Sequence, residues 1–162
     1  MNSFMTEQNK KYSNFDPIIL LASCLGTGLL PGAPGTYGSI FGMFLYFITM
    51  ALGEDIQVAL SIVFLLTGTQ ICEKAAKKFD QHDHPSIVWD EMAVMYGILL
   101  FVPLTIMSWA SIFLFFRLFD IWKPWPINSF DKRVTGGLGI MGDDVLAGFS
   151  ALLLQKILFL LI

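Results

Sequence analysis

A chain of 162 residues that is 55 % hydrophobic and only 14 % charged carries too little charge for an ordinary soluble surface, since soluble domains average about 45–50 % apolar and about 25 % charged. A formal net charge of −3 offers no footprint for nucleic acid and no acidic tail. The length suits one domain, and the excess of Phe, Leu and Ile over charge predicts an integral membrane protein.

Residues 1–17 are polar, and no apolar core followed by a cleavage pattern precedes the first hydrophobic run, so no cleaved signal peptide is expected. The membrane-embedded domain is read as residues 18–162. Its first apolar run, 18–30, is short and ends in "GLLPGAPGTYGS", where Pro31 and Pro34 stop a helix. It reads as a re-entrant or interfacial segment. The runs 37–52 and 56–72 flank "GED" and predict a helical hairpin with Glu54 and Asp55 at its tip. Cys24 and Cys72 lie in or beside apolar runs and read as small hydrophobes.

The run 92–116 carries Pro103 in its middle, and charge decides how it folds. Nine of the ten Lys and Arg residues fall in three places: Lys10 and Lys11; Lys74, Lys77 and Lys78; Arg117, Lys123, Lys132 and Arg133. Placing all three on the cytoplasmic side requires an even number of crossings between residues 91 and 117. That predicts a second hairpin bent near Pro103, with arms of roughly 86–102 and 104–120. A last span covers 145–162, where Lys156 fits poorly. The expected fold is all-α: a multi-helical integral membrane bundle with a re-entrant or interfacial N-terminal segment and a cytoplasmic-face polar site.

Three segments then bring ionisable groups to one face. "FDQHDHPSIVWDE" supplies Asp80, His82, Asp83, His84, Asp90 and Glu91; "DIWKPWPINSFDKR" supplies Asp120, Lys123, Asp131, Lys132 and Arg133; "TGGLGIMGDD" ends in Asp143 and Asp144. Hard carboxylate oxygens suit Mg²⁺, which keeps several waters and bridges to a substrate phosphate. Lys and Arg would hold the remaining phosphate oxygens. Carboxylates alone would repel a phosphate, so the mixture itself points to a metal. The plainer reading is that these charges only orient the spans.

Other signals carry less. "GLGIMG" matches G-x-G-x-x-G, but no strand precedes it and Asp143 would face a pyrophosphate; its glycines rather turn the chain or let backbone approach a ligand. His82 and His84 are an i, i+2 pair without cysteine, weak as a transition-metal site. In "WKPWP", Trp122 and Trp125 suit the headgroup belt, and Pro124 and Pro126 bias Lys123 and Trp125 toward extended backbone. The loop reads as a stiff frame presenting Asp120 and Lys123.

The blocks "PGAPGTYGS", "HDHPSIVWDE", "FRLFDIWKPWPI" and "FDKRVTGGLGIMGDDVLAG", in this order from about residue 26 to 149, closely resemble the phosphatidylglycerophosphatase A family. The resemblance implies a Mg²⁺-dependent phosphatase of the bacterial inner membrane, multi-pass and with a cytoplasmic active site, that converts phosphatidylglycerophosphate to phosphatidylglycerol and phosphate. It implies Asp90, Glu91, Asp120, Asp143 and Asp144 as catalytic carboxylates, with Asp90, Glu91, Asp143 and Asp144 as the metal ligands. Arg117, Lys123 and Arg133 would contact phosphate or headgroup, with Thr36 and Ser39 as polar liners. Gly142 stands where the family often has a bulkier residue, and Thr135 where a histidine can occur. Water attack and an aspartyl phospho-enzyme both remain open.

Two rival functions are weaker. A CDP-alcohol phosphotransferase needs an Asp-Gly…Ala-Arg…Gly…Asp…Asp pattern, of which "DDVLAG" reproduces too little. A small transporter subunit would place its charges at mid-span.

Overall fold

Pro31 and Pro34 interrupt the chain as expected, but Pro34 also opens the helix that follows. The computed structural model of the chain describes residues 16–161; Lys10, Lys11 and nearly all of the polar segment 1–17 lie outside them. Helix α1, Pro17–Ala22, is started by Asp16, whose carboxylate accepts the N–H groups of Ile18 (2.9 Å) and Ile19 (3.4 Å). Six residues cannot cross a bilayer. Cys24 and Leu25 then take positive φ, and a single 3₁₀ turn, Thr27–Leu29, leads into the Gly/Pro turn.

Helix α2, Pro34–Thr49, has its proline in the first turn, where the missing N–H costs nothing. A 3₁₀ turn, Met50–Leu52, and Gly53 at φ 95° reverse the chain into α3, Glu54–Phe79. Glu54 and Asp55 fall in the first turn of α3, so the first hairpin has the tip expected of it. Its second arm runs past residue 72 through Lys74, Lys77 and Lys78, because basic side chains near a helix C-terminus complement the dipole.

The second hairpin is present but tighter than the sequence suggests: α4 is Trp89–Leu99 and α5 is Ile106–Trp122. Residues 86–88 stay non-helical because Val88 N–H donates to the Ala22 carbonyl (2.8 Å), tying this stretch to the end of α1. On the far side Thr105 caps α5, its Oγ1 accepting the Ser108 N–H at 3.1 Å. A five-residue helix, α6 (Ile127–Asp131), precedes α7, Gly137–Leu161. Among the described residues the chain is helical with no strand. Pro34–Leu52, Glu54–Phe79 and Gly137–Leu160 are long and apolar enough to cross a membrane.

Helix α4 is the axis of the bundle. Every residue from Met92 to Leu99 is buried, as expected of a helix apolar all round. Its 11 residues span about 16 Å, well short of the ~30 Å hydrocarbon core. Small residues bring α2 against it: a Cβ on Gly42 would stand 2.5 Å from the Met92 carbonyl oxygen. Polar side chains tie the helices where water is scarce. Thr49 Oγ1 and Tyr96 Oη are 2.9 Å apart, and Gln155 Nε2 donates from α7 to Ser108 O (2.7 Å) and Ser111 Oγ (2.8 Å) on α5. The outer faces carry exposed Phe44, Phe47, Ile62, Leu66 and Leu153, the surface a lipid-facing protein presents. Cys24 and Cys72 are free and buried, in keeping with small hydrophobes.

Candidate active site

A hairpin bent at Pro103 must bring the start of α4 beside the end of α5. Asp90 and Glu91 lie in the first turn of α4, and across from them Arg117 Nη1 on α5 is 3.7 Å from Glu91 Oε1 and 2.7 Å from Asp120 Oδ2. Helix α7 adds Asp144. Asp90, Glu91 and Asp144 each turn one carboxylate oxygen into a common space where these atoms lie within 4.8 Å of one another. Asp120 faces Asp144 from α5.

The donor set of this site is left unspent. Asp90 Oδ1, Glu91 Oε2 and Asp144 Oδ2 are buried without a hydrogen-bond partner, and so is Arg117 Nε. Asp90 and Asp144 are only 5 % and 3 % exposed. A carboxylate removed from water needs a hydrogen bond, a counter-charge or a metal. Three converging carboxylates with free oxygens and no nitrogen or sulfur among them fit a hard divalent cation.

Asp143, one position along α7, is directed elsewhere. Its Oδ2 is ion-paired with Lys123 Nζ, and the same ammonium reaches Asp131 Oδ1 at 3.1 Å. Burial alone would pull the Lys123 pKa down, but the hydrogen bond and charge of Asp143, then those of Asp131, outweigh it and hold the ammonium above its ordinary value. Lys123 itself departs from the extended backbone expected before Pro124. It sits in the left-handed region (φ 44°, ψ 58°) as the C-cap of α5, its N–H bonded to Phe119 O at 2.8 Å. The two ion pairs offset the cost of that conformation and turn the side chain back over α7.

The other predicted residues divide between the site and its surroundings. Thr36 lies half-buried in the first turn of α2. Ser39 is buried, with its hydroxyl donated to the Gly35 carbonyl within its own helix (2.9 Å). Arg133 is exposed in the link between α6 and α7. Trp122 and Trp125 are 69 % and 83 % exposed, as headgroup-belt residues would be. His82 Nε2 accepts the Gly136 N–H at 2.8 Å, so the loop near residue 80 meets the turn into α7. His84 stacks on Phe79 and accepts the Ser86 N–H; burial lowers its pKa, which keeps the imidazole neutral.

Two features escaped the sequence reading. Gly35, read as part of a turn, is helical and buried, and a Cβ there would collide with Glu91 Oε1 and stand 2.8 Å from Arg117 Nη2. Only its place in "PGAPGTYGS" signalled it. Gly142, noted as unusually small, lies under the Phe130 ring, whose Cζ would be 2.5 Å from a Cβ; the aromatic ring fills the room of a larger side chain.

Known proteins match this sequence along most of the chain. The family profile described as Phosphatidylglycerophosphatase A matches residues 20–159. The protein named "Phosphatidylglycerophosphatase A" of Haemophilus influenzae is 42 % identical over 153 residues, covering 92 % of this chain and 94 % of its own length. The protein of the same name from Escherichia coli K12 is 41 % identical over 139 residues, 85 % of this chain and 80 % of its own. No solved structure matches the chain. With the profile running through every one of the converging carboxylates and two relatives above 40 % identity over most of their length, this chain belongs to the phosphatidylglycerophosphatase A family.

Proposed function

We propose that the chain is a lipid phosphatase that hydrolyses phosphatidylglycerophosphate to phosphatidylglycerol and inorganic phosphate, with Mg²⁺ held by Asp90, Glu91 and Asp144. The observation that carries this reading is the convergence of those three carboxylates, with unpartnered oxygens, beside a buried arginine. When bound there, Mg²⁺ supplies Lewis-acid polarisation of the phosphate oxygens. Arg117 offers its guanidinium fork to the phosphate and is oriented by Asp120. Asp143 positions Lys123 at the rim, where the ammonium and the exposed Arg133 favour an anionic headgroup.

Purified protein in micelles with phosphatidylglycerophosphate is expected to release phosphate. EDTA should abolish release, and Mg²⁺ should restore it better than Ca²⁺, because three oxygens in a tight space favour the smaller octahedral ion. Full turnover in chelator would exclude the metal.

The clustering of the basic segments supports an inner-membrane protein with this end in the cytoplasm. A maleimide applied outside intact cells should therefore label Glu54→Cys and not Ser129→Cys. Cys24 and Cys72 are buried and contribute little background. Labelling at position 129 would invert the orientation.

A further inference from the structure

The first turn of α2 holds donors that the carboxylate site does not use. A helix begins with N–H groups that have no intrahelical acceptor. Here the cap residue is Ala33, which makes no side-chain cap bond; Pro34 has no N–H; and the ladder starts with Tyr37 N–H to Ala33 O at 3.2 Å. The N–H groups of Gly35 and Thr36 are the two left over. They adjoin the site, because Gly35 packs directly on the Glu91 carboxylate and the Arg117 guanidinium.

A second, independent observation concerns charge. Asp90, 5 % exposed and with Oδ1 unpartnered, converges with Glu91 and Asp144 on the space next to this turn. Unspent acceptors call for a cation, but the Arg117 Nε–H is also unspent, and a cation does nothing for a donor. A metal and an anion together satisfy both sets. A helix N-terminus adds a partial positive charge and directed N–H groups to the anion's side.

Building on the phosphatase reading, we propose that the Gly35 and Thr36 backbone N–H groups, with the Arg117 guanidinium, form the seat of the substrate's phosphate. Residue 35 must then be glycine, since any side chain would fill the place where helix, arginine and phosphate meet. Thr36 contributes through its backbone and not chiefly through its hydroxyl.

Proline is tolerated in a first helical turn, which allows the N–H to be removed separately. Inorganic phosphate is the probe, titrated by ³¹P NMR against the Mg²⁺-loaded full chain in micelles and measured in parallel as a competitive inhibitor. Thr36→Ala removes the hydroxyl and keeps the N–H; Thr36→Pro removes both. The proline variant is expected to bind phosphate at least about tenfold more weakly than the alanine variant, the value of a hydrogen bond to a charged group. Should Thr36→Pro fail to fold, an ester in place of the 35–36 amide deletes the same N–H with the side chain intact, and the same loss is expected. Phosphate affinity within twofold of the alanine variant would overturn the proposal and leave Glu91 as the partner of the turn. Hydrolysis of phosphatidylglycerophosphate by the unaltered chain, run alongside, separates the two claims: no release defeats the phosphatase reading, whereas release with an indifferent N–H defeats only the seat.

Discussion

Asp144→Asn is expected to lower kcat by about a hundredfold or more, the loss typical when one electrostatic stabiliser is taken from an active site. The substitution keeps the shape of the side chain and removes the charge that a cation needs. Asp90→Asn and Glu91→Gln should behave alike, because the three carboxylates share one space. Asp143→Asn should differ in kind. Successive residues on a helix point about 100° apart, and Asp143 is spent on Lys123. Its loss leaves Lys123 tethered only to Asp131, so KM should rise at least as much as kcat falls. Steady-state kinetics on protein shown to be folded and inserted decides this. Near-normal kcat in all three cluster variants at saturating Mg²⁺ would reduce these charges to topological anchors.

The second large effect is expected at Arg117. Its side chain is 13 % exposed and stands between Glu91 and Asp120. Arg117→Met leaves two carboxylates facing each other with no cation between them, and breaking a buried charge pair costs about 3–5 kcal/mol. Unfolding in micelles should move to markedly lower temperature. Arg117→Lys restores the charge but not the planar fork, so it should recover much of the stability and little of the turnover. An Arg117→Met protein as stable as the unaltered one would show that Glu91 and Asp120 need no counter-charge.

Both hairpins were legible in the sequence because prolines and charges punctuate it. Glu54 and Asp55 mark one tip and Pro103 the other, and the second hairpin carries Glu91 to Arg117 across 26 residues of sequence. The trio Asp90, Glu91 and Asp144 was among the expected ligands. The division between Asp143 and Asp144 was not readable, because it depends on which way α7 is rotated when it packs. The left-handed turn at Lys123 opposes the local bias of a following proline and is held by ion pairs to residues 131 and 143. Gly35 looked like turn chemistry because its real constraint, a guanidinium and a carboxylate pressed on its Cα, comes from α4 and α5.

The short axis helix has a consequence for how the protein meets membranes of different composition. Bilayer thickness acts on a protein through the helices that touch lipid, which tilt or stretch the surrounding leaflets to match it. Here those are Pro34–Leu52, Glu54–Phe79 and Gly137–Leu160. Helix α4, which carries Asp90 and Glu91, is sheathed by them and never meets an acyl chain along its buried length. Hydrophobic mismatch therefore acts through tilt in the outer helices, and it reaches Asp144, which α7 carries, while Asp90 and Glu91 stay on the sheathed axis. A cell that lengthens or shortens its fatty acids in response to temperature would change the posture of α7, and with it the place of Asp144 against Asp90 and Glu91.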